Sequence, residues 1–450
     1  MVAAAREVAL DVLVAVHSRE AYANLALDSE LSKQALSQRD AALATEIAYG
    51  TLRAQGTLDW VLDRFSTRRL AELSPALLDI LRLAAYQILY LDVPDHAAVN
   101  EAVDQARGRL HRGVASYANA VLRSLLRGRE SIAWPSRERD FEAHLSLVRW
   151  HPAWLVRKWV SELGPKLAEE LCEADNAPPA LTLRVNATRA SRDEVLEALR
   201  GRGVEAEPGR WMGEAIRLKR AGALDDLPEY QAGTVYAQDE ASMAVAHAVD
   251  PKPGETVADL CAAPGGKAAH LSELMGGAGS VLAVDINASR LRLVSQTVGR
   301  LHEAGVRTVQ ADATQWRPEE KVTRVLLDAP CSGLGVLRRR AELRWRRRPE
   351  DIPKLVELQR RLLENAAAIL APGGVLVYST CAISKPENQD QVEGFLSAHA
   401  EFEPGDPSGD LGIESPLAGP GWLQFLPNVH DTDGIFVAKM VKLAKATRRK

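Results

Sequence analysis

Asp259-Leu260-Cys261-Ala262-Ala263-Pro264-Gly265-Gly266-Lys267 is the stretch that decides the fold. It completes the apolar run Thr256–Leu260 and leads into a helical pattern. A glycine turn between a strand and a helix lets backbone N–H groups approach a ligand closely at a helix N-terminus. Two familiar explanations of such a turn fail. A phosphate-binding P-loop needs a glycine where Cys261 stands and a hydroxyl residue where Ala268 stands. The G-x-G-x-x-G dinucleotide spacing is also missing.

Outward from this turn the chain alternates between apolar strand candidates and helical stretches. The strand candidates are Thr256–Leu260, Ser280–Val284, Arg307–Gln310, Arg324–Leu327, Val375–Ser379 and Ile435–Lys439. Near-continuous apolar strands joined by helices predict a mostly parallel, doubly wound α/β sheet over residues 231–442. Ligands of such sheets bind at the carboxyl ends of the strands. The second strand ends at Asp285, about 20 residues past the glycines, where a carboxylate can accept both hydroxyls of a ribose. The third is followed by Asp312, placed to meet an adenine amino group. An adenosyl ligand without a phosphate cradle predicts S-adenosyl-L-methionine as cofactor. The opposing reading is that these aspartates are only turn formers at strand ends.

The fourth strand ends in Asp328-Ala329-Pro330-Cys331 and the fifth in Ser379-Thr380-Cys381. Two cysteines thus leave the ends of neighbouring strands, close to a strand-end aspartate. Amino-directed methyltransferases of nucleic acids commonly place an aromatic residue where Cys331 stands, and there the target nitrogen attacks with its own lone pair. A cysteine instead predicts a substrate atom that needs covalent activation. Carbon 5 of a pyrimidine is such an atom. A thiolate added to carbon 6 makes carbon 5 enamine-like and nucleophilic, and a separate base then removes the carbon-5 proton.

The motifs DLCAAPGGK at Asp259–Lys267, DAPCSG at Asp328–Gly333, STC at Ser379–Cys381 with Glu387-Asn388, and DGIF at Asp433–Phe436 occur in that order. Together they resemble the RNA cytosine carbon-5 methyltransferases of the Sun/Nop type. The stretches Asp95–Val103 (DHAAVNEAV) and Tyr117–Arg123 (YANAVLR) are similar to the NusB-related helical domain of the bacterial 16S ribosomal RNA enzymes of the Fmu/Sun branch. The resemblance covers nearly the whole chain. It implies Cys381 as nucleophile, Cys331 as the residue that assists release of the enzyme, and Asp328 between the cofactor's methionine end and the cytosine. It implies cofactor contacts from Cys261, Ala262, Ala263, Pro264, Gly265, Gly266, Lys267, Asp285, Asp312 and Asp328, and 16S rRNA as substrate. One departure is Ala382-Ile383-Ser384-Lys385, where many relatives carry Ser-Val after the cysteine.

Three domains and a tail are expected. Residues 1–135 show helical periodicity and form the NusB-like unit, with Ser74-Pro75 as a helix start. Residues 141–230 contain a helical part (Leu155–Ala174), strands Leu181–Val185 and Ala215–Leu218, and helix Arg192–Arg200. They are expected to form a small α/β unit, matching the family's RRM-like extension. The methyltransferase unit takes 231–442, and 443–450 is a basic tail. Arg338, Arg339, Arg340, Arg344, Arg346, Arg347 and Arg348 crowd into eleven residues with one tryptophan, Trp345. This run predicts a salt-sensitive phosphate contact, with Trp345 stacking on a base or packing as an indole. The bland reading is a solvated helix face.

The 450 residues are 46% apolar and 26% charged, which excludes a mainly disordered chain. No stretch approaches the about 20 apolar residues of a membrane span, and no secretory signal is visible. The four cysteines form no CxxC, and there is no HExxH, so neither a disulfide framework nor a metal is expected. A reduced cytoplasmic monomer follows. Two alternatives stand beside the main expectation: the same chemistry on tRNA or 23S rRNA, and a ribosome-assembly RNA-binding module with a vestigial catalytic half.

Overall fold

From Val8 onward apolar residues return every three or four positions, and helices Ala4–Arg19, Gln38–Phe65, Pro75–Tyr90 and Arg112–Gly128 turn those stripes inward. The structure is a computed structural model that describes residues 4–34, 36–219 and 224–444. Residues 445–450 of the expected basic tail lie outside it. The chain divides into two compact units: Met1–Pro178 with Leu337–Arg348, and Pro179–Val336 with Pro349–Lys450.

The first unit is all-helical, as expected for residues 1–135, and it also takes in the helices of residues 141–178, expected in the small α/β unit. Leu10, Leu13, Ile47, Leu52, Leu58 and Leu62 are fully buried in one core. Pro75 opens its helix as predicted, but Ser74 caps it without a side-chain hydrogen bond. The stretch expected as one helix over Leu155–Ala174 is two, Ala153–Leu163 and Pro165–Ala174. Gly164 breaks it in the left-handed region (φ 80°), and Pro165 has no N–H to continue the ladder.

Leu337–Arg348 is a strap that belongs to this helical unit, and it corrects the expected phosphate-facing surface. Arg344 is fully buried. Its guanidinium donates to the carbonyls of Trp150 (3.1 Å) and Asp175 (2.6 Å) and to Asn176 Oδ1 (2.7 Å). Arg346 donates to the carbonyls of Val16, Glu20 and Ala21 at 2.8, 3.1 and 2.6 Å. Trp345 does not await a base: its Nε1 donates to Leu52 O at 2.6 Å, and a Cβ on Gly56 would lie 2.4 Å from its ring. Arg338 is buried, and Arg340 covers the Tyr22 ring at 4.2 Å. Arg339 and Arg347 are half-buried, and Arg348 is exposed. Arginine satisfies main-chain carbonyls as well as phosphates, so its density alone does not mark a nucleic-acid surface.

The second unit holds two sheets. Strands β1 (Leu181–Val185), β2 (Ala206–Pro208), β3 (Ala215–Leu218) and β4 (Val235–Ala237) form an antiparallel sheet in the order β2-β3-β1-β4. Helix Arg192–Gly201 starts at a Ser191/Glu194 capping box and buries Val195, Leu196 and Leu199 against Leu183 and Ile216. The larger sheet contains β5 (Thr256–Leu260), β6 (Ser280–Asp285), β7 (Val306–Gln310), β8 (Val322–Asp328) and β9 (Leu370–Thr380). It continues with β10 (Phe402–Pro404), β11 (Ala418–Gly419), β12 (Trp422–Gln424) and β13 (Phe436–Lys442). Its order is β11-β12-β13-β9-β8-β5-β6-β7, with β10 on β13. The run from β7 to β9 is parallel, and β13 returns antiparallel to β9. All six strands expected from the sequence are present. The chain winds outward from β5 through β6 to β7, then crosses to β8 and β9. This reversal between β5 and β8 is where ligands of doubly wound sheets bind.

Asp175 generates the first prediction. It is fully buried, 3.6 Å from His151 Nε2, and neither carboxyl oxygen has a hydrogen-bond partner. Burial pushes it up to about 7, with Arg344 opposing. An unfolded aspartate titrates near ~3.9. The folded state therefore holds the extra proton, and the stability this confers is complete below the unfolded value and lost as pH rises through about 7. Replacing Asp175 with Asn should stabilise the chain more at about pH 8 than at about pH 5, by on the order of 2 kcal/mol between them. Urea unfolding at both pH values checks this; an equal effect at both rejects it.

Candidate active site

The loop after β5 is held from behind by its own backbone. Cys261 (φ 65°) and Gly265 (φ 103°) take left-handed conformations, and the Ala262 N–H donates to Val284 O at 3.0 Å. The Ala263 carbonyl accepts from Arg290 Nη2 at 3.0 Å and the Pro264 carbonyl from Thr297 Oγ1 at 2.9 Å. A Cβ on Gly265 would sit 3.0 Å from Val294 Cα, and one on Gly266 would sit 2.5 Å from the Tyr236 ring. Both glycines are thus required by close packing as well as by the turn.

Asp285, at the end of β6, is 3% exposed. Its Oδ1 accepts the Asn287 N–H at 2.9 Å, while Oδ2 is buried with no hydrogen-bond partner. A strand-end carboxylate oxygen with no hydrogen bond, 3.7 Å from Arg290 Nη1, fits a ribose diol, and with the glycine loop it fits an adenosyl group. Asp312 lies just past β7 as expected. Its Oδ1 accepts the Thr314 N–H (2.9 Å) and hydroxyl (2.8 Å), and Oδ2 accepts Gln315 Nε2 at 3.2 Å. Those bonds hold it below the ordinary carboxylate range. Burial, then the Asp285, Asp328 and Asp259 carboxylates, push the Cys261 thiol up, so it is no nucleophile.

The reactive groups gather where β8 and β9 end. Their register sets Asp328 opposite Ser379, and the Ser379 hydroxyl donates to Asp328 Oδ1 at 2.7 Å. Lys267, from the glycine loop, donates to Asp328 Oδ2 at 2.8 Å. Burial pulls the Lys267 ammonium down, but Asp328 outweighs it and keeps the group above its ordinary value. The Cys331 and Cys381 sulfurs lie 3.2 Å apart. The hydrogen bond between the two thiols holds Cys381 below its ordinary value against burial and the Asp328 carboxylate, and the Lys267 ammonium adds to the lowering. The same bond, then burial and the charges of Cys381 and Glu387, push Cys331 well up. Cys381 is therefore the more acidic thiol of the pair.

Residues outside the predicted set fix these loops. The Gly335 N–H donates to Cys381 O at 2.9 Å and the Gly434 N–H to Gly335 O at 2.7 Å. A Cβ on Gly335 would lie 1.8 Å from Gly434 O, so only glycine closes that contact. Glu387 Oε1 accepts the Ser332 N–H at 2.8 Å, and Tyr378 OH donates to Glu387 O at 2.6 Å. Asn388 accepts from the Thr380 hydroxyl at 2.6 Å and donates to Ala382 O at 2.8 Å. Gln359, which donates to Pro330 O at 2.9 Å, carried no signal in the sequence. Asp259 did lie in a motif, and its side chain is buried beside Asp328 with both oxygens unpartnered. Burial, then Asp328, pushes it well above the carboxylate range.

Comparison with known proteins gives family matches in all three parts of the chain. A family model described as 16S rRNA methyltransferase RsmB/F matches residues 246–441, a NusB family model matches 3–127, and an RsmF/B-like ferredoxin-like domain model matches 151–225. The chain is 38% identical to a probable ribosomal RNA small subunit methyltransferase B of Bacillus subtilis, over 97% of this chain and 98% of the relative. It is 36% identical to the ribosomal RNA small subunit methyltransferase B of Yersinia pseudotuberculosis, over 92% of this chain and 93% of the relative. The crystal structure of PH0851 superposes with a TM-score of 0.85 at 29% identity, covering 97% of this chain and 99% of that one.

The asymmetry of the two thiols has a measurable signature. Iodoacetamide should alkylate Cys381 well before Cys331 at neutral pH. Exchanging Lys267 for Met should slow Cys381 alkylation by about tenfold, the effect of one unit of pKa on the thiolate fraction. Peptide mass spectrometry reads both rates. An unchanged Cys381 rate would show that the ammonium does not support its thiolate.

Proposed function

Since the chain belongs to the RsmB/F family of 16S rRNA methyltransferases, we propose that it methylates carbon 5 of a cytosine in small-subunit rRNA through a covalent bond between Cys381 and carbon 6. The observation that carries this is the thiol pair, 3.2 Å apart, next to the Lys267–Asp328 contact.

S-adenosylmethionine, the cofactor of the family, supplies an electrophilic methyl group when bound. Asp285 and the Cys261–Lys267 loop are the residues that would hold its adenosyl part, and Asp328 is the strand-end carboxylate nearest the thiols' side of the site. The Cys381 thiolate adds to carbon 6 of the cytosine, which places electron density on carbon 5. Formation of that carbon–sulfur bond removes the charge from Cys381. The same charge is among the causes that keep Cys331 protonated, so its loss lets the Cys331 proton pass to solvent. The Cys331 thiolate then takes the carbon-5 proton after methyl transfer. The electrons of that C–H bond re-form the ring double bond and expel Cys381 as thiolate. A target cytosine inside folded RNA must first be unstacked, which favours a loop or bulge.

Two variants separate the roles of the thiols. Cys381→Ala should abolish methyl transfer, and Cys331→Ala should accumulate a covalent RNA–protein adduct visible on a denaturing gel. The double variant should form none. Bisulfite sequencing of 16S rRNA from cells with and without the gene should locate one protected cytosine. Turnover by Cys381→Ala at the wild-type rate would overturn the assignment.

A further inference from the structure

Glu214, His247 and His270 lie outside the methyl-transfer machinery, yet their donor atoms converge within 4.8 Å of one another. We propose that they form a zinc site joining the four-stranded sheet to the methyltransferase helices.

The three side chains come from separate elements of the second unit. Glu214 immediately precedes β3, His247 stands in the last turn of helix Glu240–Val249, and His270 is on helix Gly266–Leu274. Glu214 Oε1 is 2.8 Å from His247 Nε2 and 3.2 Å from His270 Nε2. In tetrahedral zinc sites with bonds of about 2.0–2.1 Å, neighbouring donor atoms stand roughly 3.3 Å apart. Both Glu214 contacts lie within about half an ångström of that spacing, and all three donors lie within 4.8 Å of one another. The rings already meet edge to face, with centroids 5.2 Å apart.

Charge and donor type select the ion. Glu214 contributes one negative charge. The neighbouring Arg184 guanidinium is itself paired with Glu273 at 2.7 Å. Two imidazoles and one carboxylate disfavour calcium and magnesium, which prefer oxygen ligands, and suit zinc. The His270 side chain is 2% exposed and that of His247 is 28% exposed, which leaves the fourth position to water from the His247 side. Such a three-ligand set would have been invisible to a search for zinc spacings, because its members are 33 and 23 residues apart. The competing arrangement is a metal-free trio in which both imidazoles donate to the one carboxylate oxygen.

The test uses the full chain carrying Cys331→Ser and Cys381→Ser, so that the catalytic thiols cannot bind metal, after dialysis against a chelator. Titration with cobalt(II) should give one ion per chain, with visible d–d bands and no thiolate-to-cobalt charge-transfer band. Zinc(II) should displace the cobalt and raise the melting temperature. Introducing Glu214→Gln or His247→Asn into this background should weaken cobalt binding by at least about tenfold. Circular dichroism and melting without metal establish that each variant is folded. No cobalt binding in the thiol-free chain, or undiminished affinity in both folded variants, overturns the site. Because no step of methyl transfer enters the readout, the result stands apart from the fate of the covalent mechanism.

Discussion

The Asp328 carboxylate, fixed by the Lys267 ammonium at 2.8 Å on one oxygen and the Ser379 hydroxyl at 2.7 Å on the other, is the contact on which the site depends. It joins three segments that are remote in sequence: the glycine loop after β5, the end of β8 and the end of β9. A buried ammonium without a partner is costly, so the lysine and the aspartate require each other. The strand register then does the positioning. With Asp328 opposite Ser379, the residues two and three places further on, Cys381 and Cys331, leave the sheet edge together. The pair also places both of its charges within electrostatic reach of Cys381, where the ammonium favours the thiolate and the carboxylate opposes it.

Four cysteines show how far environment sets the role of a single residue type. Burial pushes the thiols of Cys172 and Cys261 up and leaves them unreactive. Cys331 and Cys381 share one hydrogen bond, yet their surroundings differ. Cys381 feels both Asp328 and Lys267, whose effects oppose, whereas Cys331 feels Glu387, whose carboxylate is already fixed by the Ser332 N–H. The acid that locks the backbone after Cys331 is thus also one of the groups that keep its thiol protonated. Spacing in the sequence does not rank the two sulfurs. Their shared hydrogen bond and their neighbours do.

Much of this was legible before the fold was known, and for identifiable reasons. The strands of the parallel sheet are buried on both faces, so their apolar runs stand out, and their ends fall on the polar residues that matter. Gly265 could be found because a tight turn demands glycine, and Asp285 because the strand pattern before it ends at a carboxylate. The three-residue strands β2 and β4 were missed, since a period of two cannot show itself over so short a span. The break at Gly164-Pro165 was overridden by the surrounding helical pattern. Gln359, Glu214, His247 and His270 gave no local signal because their partners are distant in the chain.

Within the arginine run, Arg338, Arg344 and Arg346 turned inward for a different reason, which bears on how charge is read in this protein. A count of cations treats arginine as a point charge. Here the guanidinium acts mainly as a planar set of five donors, able to satisfy several acceptors at once. Arg344 and Arg346 spend their donors on main-chain carbonyls in the helical unit. Arg300 donates to the carbonyls of Tyr230 and Val235 while lying 3.8 Å over the Tyr230 ring. Arg82 grips both oxygens of Asp59 at 2.7 Å. Lysine could replace none of these geometries, since its ammonium cannot present parallel donors in a plane. Where arginines follow one another beside tryptophan and leucine, as in Leu337–Arg348, the apolar neighbours point to burial, and the cations then serve the helical unit's own backbone before any phosphate.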